Sequence, residues 1–181
     1  DRGPALAGGA GDGTAGGTGG GTAVGGDLFF GGPVANAAVG MPAIISRAGW
    51  GANEAYRFDS GGYERFAPGF SPLQKAIVHH TAGRNDDPDP EATIRAIYYM
   101  HAVTRGYGDI DYNYLIDWQG RIYEGRHARD YAPGEPITGE DFAGNVVRGA
   151  HARDFNDGTV GIALLGNFVD RLPPAAQRNA L

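Results

Sequence analysis

Two adjacent histidines, His79 and His80, follow the apolar run Ala76-Ile77-Val78 and precede the turn-forming residues Thr81-Ala82-Gly83. An apolar, partly β-branched run that stops at turn residues predicts a strand buried on both faces. Because successive strand side chains point to opposite faces, only one of the two imidazoles can readily enter a given cleft. The pair is therefore either a set of hydrogen-bonded histidines at a strand end or a metal ligand beside a supporting partner.

Other side chains that could do chemistry follow downstream. They are His101 and Arg105 on a predicted helix, Tyr112 at the start of a predicted strand, and the loop residues His151 and Asn156. Helix residues four apart share a face, so His101 and Arg105 can act jointly, although a single histidine on an apolar face is also compatible with core packing. A tyrosine hydroxyl can donate to a developing oxyanion or orient a water without ionising at pH 7.

The helix that carries His101 has a clear start signal. Asp89 is suited to the N-cap position and Pro90 to the first helical position. Apolar residues recur at helical spacing from Ile94 to His101, and Gly106 is expected to end the helix. His101 is therefore predicted to lie on the inward face.

A strand, loop and strand pattern follows the helix. Residues 111–117 predict a strand, Trp118-Gln119-Gly120 a hairpin loop with the glycine in a left-handed conformation, and residues 121–124 the partner strand. Alternation along a strand predicts that Tyr112 and Tyr114 share a face.

Several segments fall in an order that resembles one family. They are Ser46–Ala52, residues 76–83, His101–Ile116, Gly120–Arg126, Gly149–His151, Phe155–Asn156 and Val160–Phe168. Together they resemble the peptidoglycan recognition protein family and, more broadly, the type 2 N-acetylmuramoyl-L-alanine amidases, over roughly residues 42–181. The resemblance implies an α/β fold with a central mixed β-sheet flanked by helices, its C-terminal part missing here.

The resemblance also implies roles for single residues. His79 corresponds to a zinc ligand, Tyr112 to a catalytic tyrosine beside the zinc-bound water, and His101, Arg105, His151 and Asn156 to contacts of the muramyl peptide. In the family the second and third zinc ligands lie downstream of the strand at 160–165, which argues against His151 as a ligand. We therefore expect this chain to supply one of the three protein ligands of a catalytic Zn²⁺.

The activity that the resemblance implies is that of a zinc-dependent amidase. It would cleave the amide between N-acetylmuramic acid and the L-Ala of peptidoglycan. The alternative is a non-catalytic module that binds peptidoglycan in the same groove without a metal. A different metal hydrolase built on the histidine pair is a third possibility. The presence of both His79 and Tyr112 favours the enzyme.

Composition limits the partners and the location. The formal net charge is −6, and no run of Lys or Arg occurs, so nucleic acid is not an expected partner. No stretch approaches the roughly 20 apolar residues of a membrane span. We expect peptidoglycan or a muramyl peptide as the partner, a monomer, and an extracellular or cell-wall location.

The N-terminal segment differs from the remainder. Residues 1–40 hold 15 of the 32 glycines and offer little apolar surface. Glycine loses the most backbone entropy on ordering, so this segment is predicted to be a flexible linker or tail, with a contact near Leu28-Phe29-Phe30. The folded domain is predicted to span residues 41–181. A first residue other than Met indicates an excerpt or a processed product.

Overall fold

Five strands pair into one mixed β-sheet in the computed structural model, which describes residues 40–181. The elements are β1 (Ile44–Ile45), a 3₁₀ turn (Glu54–Arg57), β2 (Phe70–Ser71), β3 (Lys75–His80), α1 (Pro90–Tyr99), a π-helical turn (Met100–Thr104), β4 (Tyr114–Ile116), β5 (Ile122–Glu124), β6 (Val146–Val147), β7 (Thr159–Leu164) and α2 (Ala175–Asn179). Residues 1–39, with the predicted contact at Leu28-Phe29-Phe30, lie outside the described residues, and the linker stays a prediction.

The strand order of the sheet is β1-β5-β4-β7-β3. β4 and β5 are antiparallel, as expected for a hairpin, and Gly120 in their loop has φ +85°. The other neighbouring pairs are parallel. β2 and β6 form a separate antiparallel pair. The predicted α/β fold with a central mixed sheet is confirmed.

α1 begins as its sequence predicts. The Asp89 carboxylate accepts a hydrogen bond of 3.0 Å from the backbone N–H of Ala92, and Pro90 is the first helical residue. After Tyr99 the helix continues as the π-helical turn, and Gly106, at φ +72°, follows its end.

α1 packs on one face of the sheet. The core of this face contains Trp50, Ile94, Tyr98, Ala102, Ile110, Leu115, Tyr123, Ala163 and Leu165. In the strand register Ala163 lies opposite both Leu115 and His79. His79 therefore points to the face that α1 covers, at the sheet edge next to this core.

β3 lies at an edge of the sheet, where it pairs with β7. Val78 is 51% exposed, so the prediction of a strand buried on both faces is wrong. An apolar run indicates a strand, but the neighbours that would bury it come from distant parts of the chain and cannot be read from the run itself.

The other face of the sheet has an apolar cavity of about 350 Å³. Ile44, Tyr114, Ile116, Ile122, Ile162 and Leu181 are among its lining residues. None of the six predicted site residues lines this cavity. Between residues 40 and 181, the structure contains no helix with the length and apolar character needed to cross a membrane.

Candidate functional site

Four rings form a continuous row from the loop before β7 to the π-helical turn that follows α1. In order they are His151, His79, Tyr112 and His101, and we call them the ring row. Neighbouring ring centroids are 5.1, 5.5 and 5.6 Å apart. The structure thus brings together four of the six residues predicted from the sequence.

His79 and His151 make direct contact, with Nε2 of His79 3.0 Å from Nδ1 of His151. Burial lowers the pKa of His79, and burial together with the neighbouring His79 lowers the pKa of His151 to about 4. Both imidazoles are therefore neutral at pH 7 and share one hydrogen bond.

Thr159 indicates which nitrogen carries the proton. Its hydroxyl donates to the backbone carbonyl of Phe155 at 2.7 Å, so its oxygen can only accept from Nε2 of His151, 3.3 Å away. This arrangement places the proton of His151 on Nε2 and leaves Nδ1 as an acceptor. His79 then donates through Nε2–H.

The imidazole of His151 packs directly against the backbone of β7 at Gly161. A Cβ at Gly161 would lie 2.3 Å from Cγ and Cδ2 of His151, far inside van der Waals contact. Only glycine therefore lets the imidazole lie against the strand backbone at this point.

His80 points to the opposite face, as alternation predicts. Its Nδ1 accepts a hydrogen bond of 2.9 Å from the backbone N–H of Phe168. This hydrogen bond links β3 to the segment after β7. Of the two adjacent histidines, His79 is the one whose imidazole belongs to the ring row.

Tyr112 lies between His79 and His101 and packs against the core beneath α1. Tyr114 lines the apolar cavity of the other face, and its hydroxyl donates to the Thr138 carbonyl. The prediction that the two tyrosines share a face is therefore wrong. β4 begins only at Tyr114, so strand alternation does not extend back to Tyr112. Burial, and then Asp111, raises the pKa of the Tyr112 phenol, which is protonated at pH 7.

His101 occupies the π-helical turn, a rare conformation that often marks functional sites. It is only 4% exposed, and its Nδ1 accepts from the backbone N–H of Asp111 at 3.2 Å. Burial, and then Arg105, lowers its pKa to about 4. Arg105 directly follows this turn and is exposed, and no carboxylate between residues 40 and 181 forms a salt bridge with it. A free cation therefore lies beside a neutral ring row.

Asn156 supports the loop that carries His151. Its Oδ1 accepts a hydrogen bond of 2.8 Å from the backbone N–H of Ala152. The structure thus gives this side chain a role in loop geometry.

A catalytic zinc needs three protein ligands as a rule. Within residues 40–181, no group of three or more His, Cys, Asp or Glu side chains is placed to hold a metal ion. His79 has one imidazole beside it, that of His151, and the two are already hydrogen-bonded to each other. The described residues do not by themselves fit a zinc centre.

Sequence reasoning missed two buried charged residues near Tyr112. Asp111 is 5% exposed, and burial raises its pKa to about 7. Arg126 is 1% exposed, and its Nε and Nη1 have no hydrogen-bond partner among the described residues. An acidic residue at the start of an otherwise apolar strand pattern was the available signal for Asp111, since burying a charge is costly without a purpose.

Comparison with known families gives one match over residues 69–181, to the family described as N-acetylmuramoyl-L-alanine amidase. Peptidoglycan-recognition protein 1 of Holotrichia diomphalia is 30% identical over 139 residues, which make up 73% of this chain and 55% of that protein. Peptidoglycan-recognition protein SD of Drosophila melanogaster is 32% identical over 81% of this chain and 67% of its own length. The chain thus spans between about half and two thirds of these relatives.

Solved structures show the same likeness. The crystal structure of Drosophila peptidoglycan recognition protein SD has a TM-score of 0.58 and 30% identity, covering 77% of this chain and 70% of that one. Peptidoglycan recognition protein LE, solved in complex with tracheal cytotoxin, a monomeric diaminopimelic acid-type peptidoglycan, has a TM-score of 0.58 and 27% identity over 77% of this chain and 69% of that one.

Proposed function

We propose that this chain, which belongs to the family of peptidoglycan recognition proteins and type 2 N-acetylmuramoyl-L-alanine amidases, binds the muramyl-peptide unit of peptidoglycan along its ring row. The observation that carries this proposal is the neutral ring row with the exposed cation Arg105 at one end. A muramyl peptide offers amide groups, carbonyls and a terminal carboxylate.

The ring row suits such a ligand chemically. Neutral imidazoles and a phenol can each donate or accept a hydrogen bond, which matches the amides of the sugar and the stem peptide. Arg105 can meet a carboxylate with two parallel hydrogen bonds. Further support comes from the complex of the relative LE with a peptidoglycan fragment.

Binding in this form requires no metal. His79 and His151 satisfy each other in the free protein, and a ligand group could replace that single hydrogen bond. The residue roles, including those of His151 and Asn156 as ligand contacts, belong to this proposal. Peptidoglycan as the ligand also implies an extracellular or cell-wall location, and we propose that the chain acts there as a monomer.

Cosedimentation with purified, insoluble peptidoglycan tests the proposal. The full chain in EDTA is expected to sediment with peptidoglycan but not with cellulose, and excess soluble muramyl tripeptide should release it. A tripeptide without muramic acid should release it less well. Equal sedimentation with both polymers, or none with either, would refute the proposed function.

Amidase activity is the second candidate, and the contact between Tyr112 and His79 favours it. In that reaction, water adds to the carbonyl carbon of the muramyl lactyl amide, the C–N bond breaks, and the amine of L-Ala leaves with a proton. Tyr112 could donate a hydrogen bond to the carbonyl oxygen as negative charge develops there. Because the described residues do not complete a zinc centre, activation of the water is not assigned to a group of this chain.

Hydrolysis is separable from binding by one substitution. In zinc-supplemented protein with measurable turnover, Tyr112→Phe is expected to lower the turnover by about 10²-fold or more, while the affinity for muramyl peptide changes little. A variant with wild-type turnover would remove Tyr112 from the reaction.

A further inference from the structure

Two groups of Asp111 meet at one nitrogen of His101. The backbone N–H of Asp111 donates to Nδ1 of His101 at 3.2 Å, and Oδ2 of the same aspartate lies 3.4 Å from that nitrogen. The side chain of Asp111 is 7% exposed, and that of His101 is 5% exposed. Oδ1 of Asp111 has no hydrogen-bond partner in the part of the chain that the structure describes.

The backbone contact indicates which nitrogen of His101 carries the proton in this arrangement. A backbone amide can only donate, so Nδ1 presents a lone pair and the neutral ring carries its proton on Nε2. An ionised carboxylate beside that lone pair would meet no donor on the ring. A protonated carboxyl, by contrast, can itself donate to Nδ1.

We propose that Asp111 is a positioning residue that decides whether Nε2 of His101 donates or accepts a hydrogen bond toward the muramyl peptide. This inference rests on the proposed function. With Asp111 protonated, Nε2 carries the proton and can donate to a ligand carbonyl or carboxylate. When Asp111 releases its proton to solvent, the carboxylate can accept a hydrogen bond from a proton on Nδ1. This charge-assisted hydrogen bond then replaces the contact between the backbone N–H of Asp111 and Nδ1, and Nε2 becomes an acceptor. The imidazole stays neutral throughout, because it exchanges one ring proton for another.

The groups around Asp111 set the pKa of its carboxyl near neutral pH. Burial is the strongest influence and raises the pKa of the carboxyl to about 7. Arg126, and then Arg105, oppose it, whereas Asp109 reinforces it. The phenol of Tyr112 is adjacent, and the backbone N–H of Ala150 donates to the backbone carbonyl of Asp111 at 2.9 Å. The carboxyl of Asp111 therefore gains or loses its proton within the pH range in which most proteins function.

Nitrogen NMR of the ligand-free chain, labelled with ¹⁵N-histidine, tests the inference independently of binding. The ¹⁵N shifts of His101 are expected to report the Nε2–H tautomer at pH 5.5 and to change toward the Nδ1–H tautomer with a midpoint near 7. In Asp111→Asn, whose amide can donate to Nδ1 at every pH, the Nε2–H tautomer should persist to pH 9. An unchanging His101 tautomer in the wild type would overturn the inference, and this result needs no variant to fold.

Calorimetric titration with muramyl dipeptide measures how the ionisation of Asp111 changes the affinity for the ligand. The wild-type affinity is expected to fall about five- to tenfold between pH 6 and pH 8, the effect of one net hydrogen bond. Asp111→Asn should show no such fall, and the control Asp170→Asn, which removes an exposed carboxylate, should follow the wild type. A wild-type affinity that is equal at both pH values would contradict the inference. Absence of binding at every pH would instead refute the proposed function, and the NMR result would still decide the role of Asp111.

Discussion

Nε2 of His79 lies 3.0 Å from Nδ1 of His151, although 72 positions separate the two residues along the chain. β3 delivers one imidazole and the loop before β7 delivers the other. Because each imidazole supplies the other's hydrogen-bond partner, the centre of the site is neutral. This relationship leads to predictions about zinc, about the sheet beneath His151 and about the ligand.

Zinc should bind this chain weakly. Two imidazoles without a third protein donor between residues 40 and 181 do not complete a zinc centre, and binding would also break their hydrogen bond. After dialysis against metal-free buffer, elemental analysis should find well below one equivalent of zinc. Stoichiometric zinc that His151→Asn abolishes would make His151 a ligand and contradict this account.

Gly161→Ala should displace His151. The new methyl group would lie 2.3 Å from the imidazole, so the ring must move away from the backbone of β7. We expect a loss of about 1–3 kcal/mol in the free energy of unfolding, the usual range for overpacking, together with loss of muramyl-peptide binding. Denaturant unfolding and calorimetry measure the two effects.

Gly83→Ala is the matched control for Gly161→Ala. A Cβ at Gly83 would meet Thr81 at an ordinary 3.6 Å, so this variant should bind and unfold like the wild type. If Gly161→Ala also retains full affinity, the affinity for the ligand does not depend on the packing of His151 against β7.

Arg105→Ala should weaken muramyl-peptide binding by roughly 1.5–3 kcal/mol, the range for a charge-assisted hydrogen bond. Arg105→Lys should recover only part of this, since an ammonium cannot form the forked pair with a carboxylate. Titration calorimetry with a muramyl tripeptide measures the loss, and Arg171→Ala, at another exposed arginine, serves as control. Equal affinities for Arg105→Ala and the wild type would leave Arg105 as a cation at a helix end.

The stability of the chain should depend on pH through Asp111. Its pKa rises from an ordinary 3.8 to about 7 in the folded protein, so the folded state keeps a proton that the unfolded chain releases. The contribution of Asp111 to the free energy of unfolding should therefore fall as pH rises from about 4 to about 7, by at most about 4 kcal/mol at 1.36 kcal/mol for each pKa unit.

His101 contributes with the opposite sign. Its pKa falls from 6.5 to about 4, so stability is lost as pH falls through that window. The two windows overlap, so Asp111→Asn should make the free energy of unfolding rise more steeply between pH 4 and pH 7 than in the wild type, which urea unfolding between pH 4 and pH 8.5 can measure. A variant with the same pH profile as the wild type would exclude Asp111 as the titrating group.

Local signals in the sequence predicted the parts of the fold that local chemistry determines. The N-cap at Asp89 and the left-handed Gly120 are set by side chains within a few positions, and both are confirmed. The edge position of β3 could not be predicted, because it depends on the order of strands that lie far apart in the sequence.

The candidate site shows the same division. The resemblance selected His79, Tyr112, His101 and His151, and these residues form one row. Strand alternation placed Tyr112 wrongly, because β4 starts at Tyr114, three residues after the predicted start of the strand at Asp111. Asp111 was missed because its importance arises from burial against His101, which only the folded chain reveals.

Isothermal titration calorimetry with a muramyl tripeptide in EDTA tests the central claim most directly. Circular dichroism must first establish that the full chain is folded. We expect saturable binding at one site without a metal and a marked loss of affinity in His151→Ala. A folded chain that shows no heat of binding in EDTA, or that binds only after zinc is added, would contradict it.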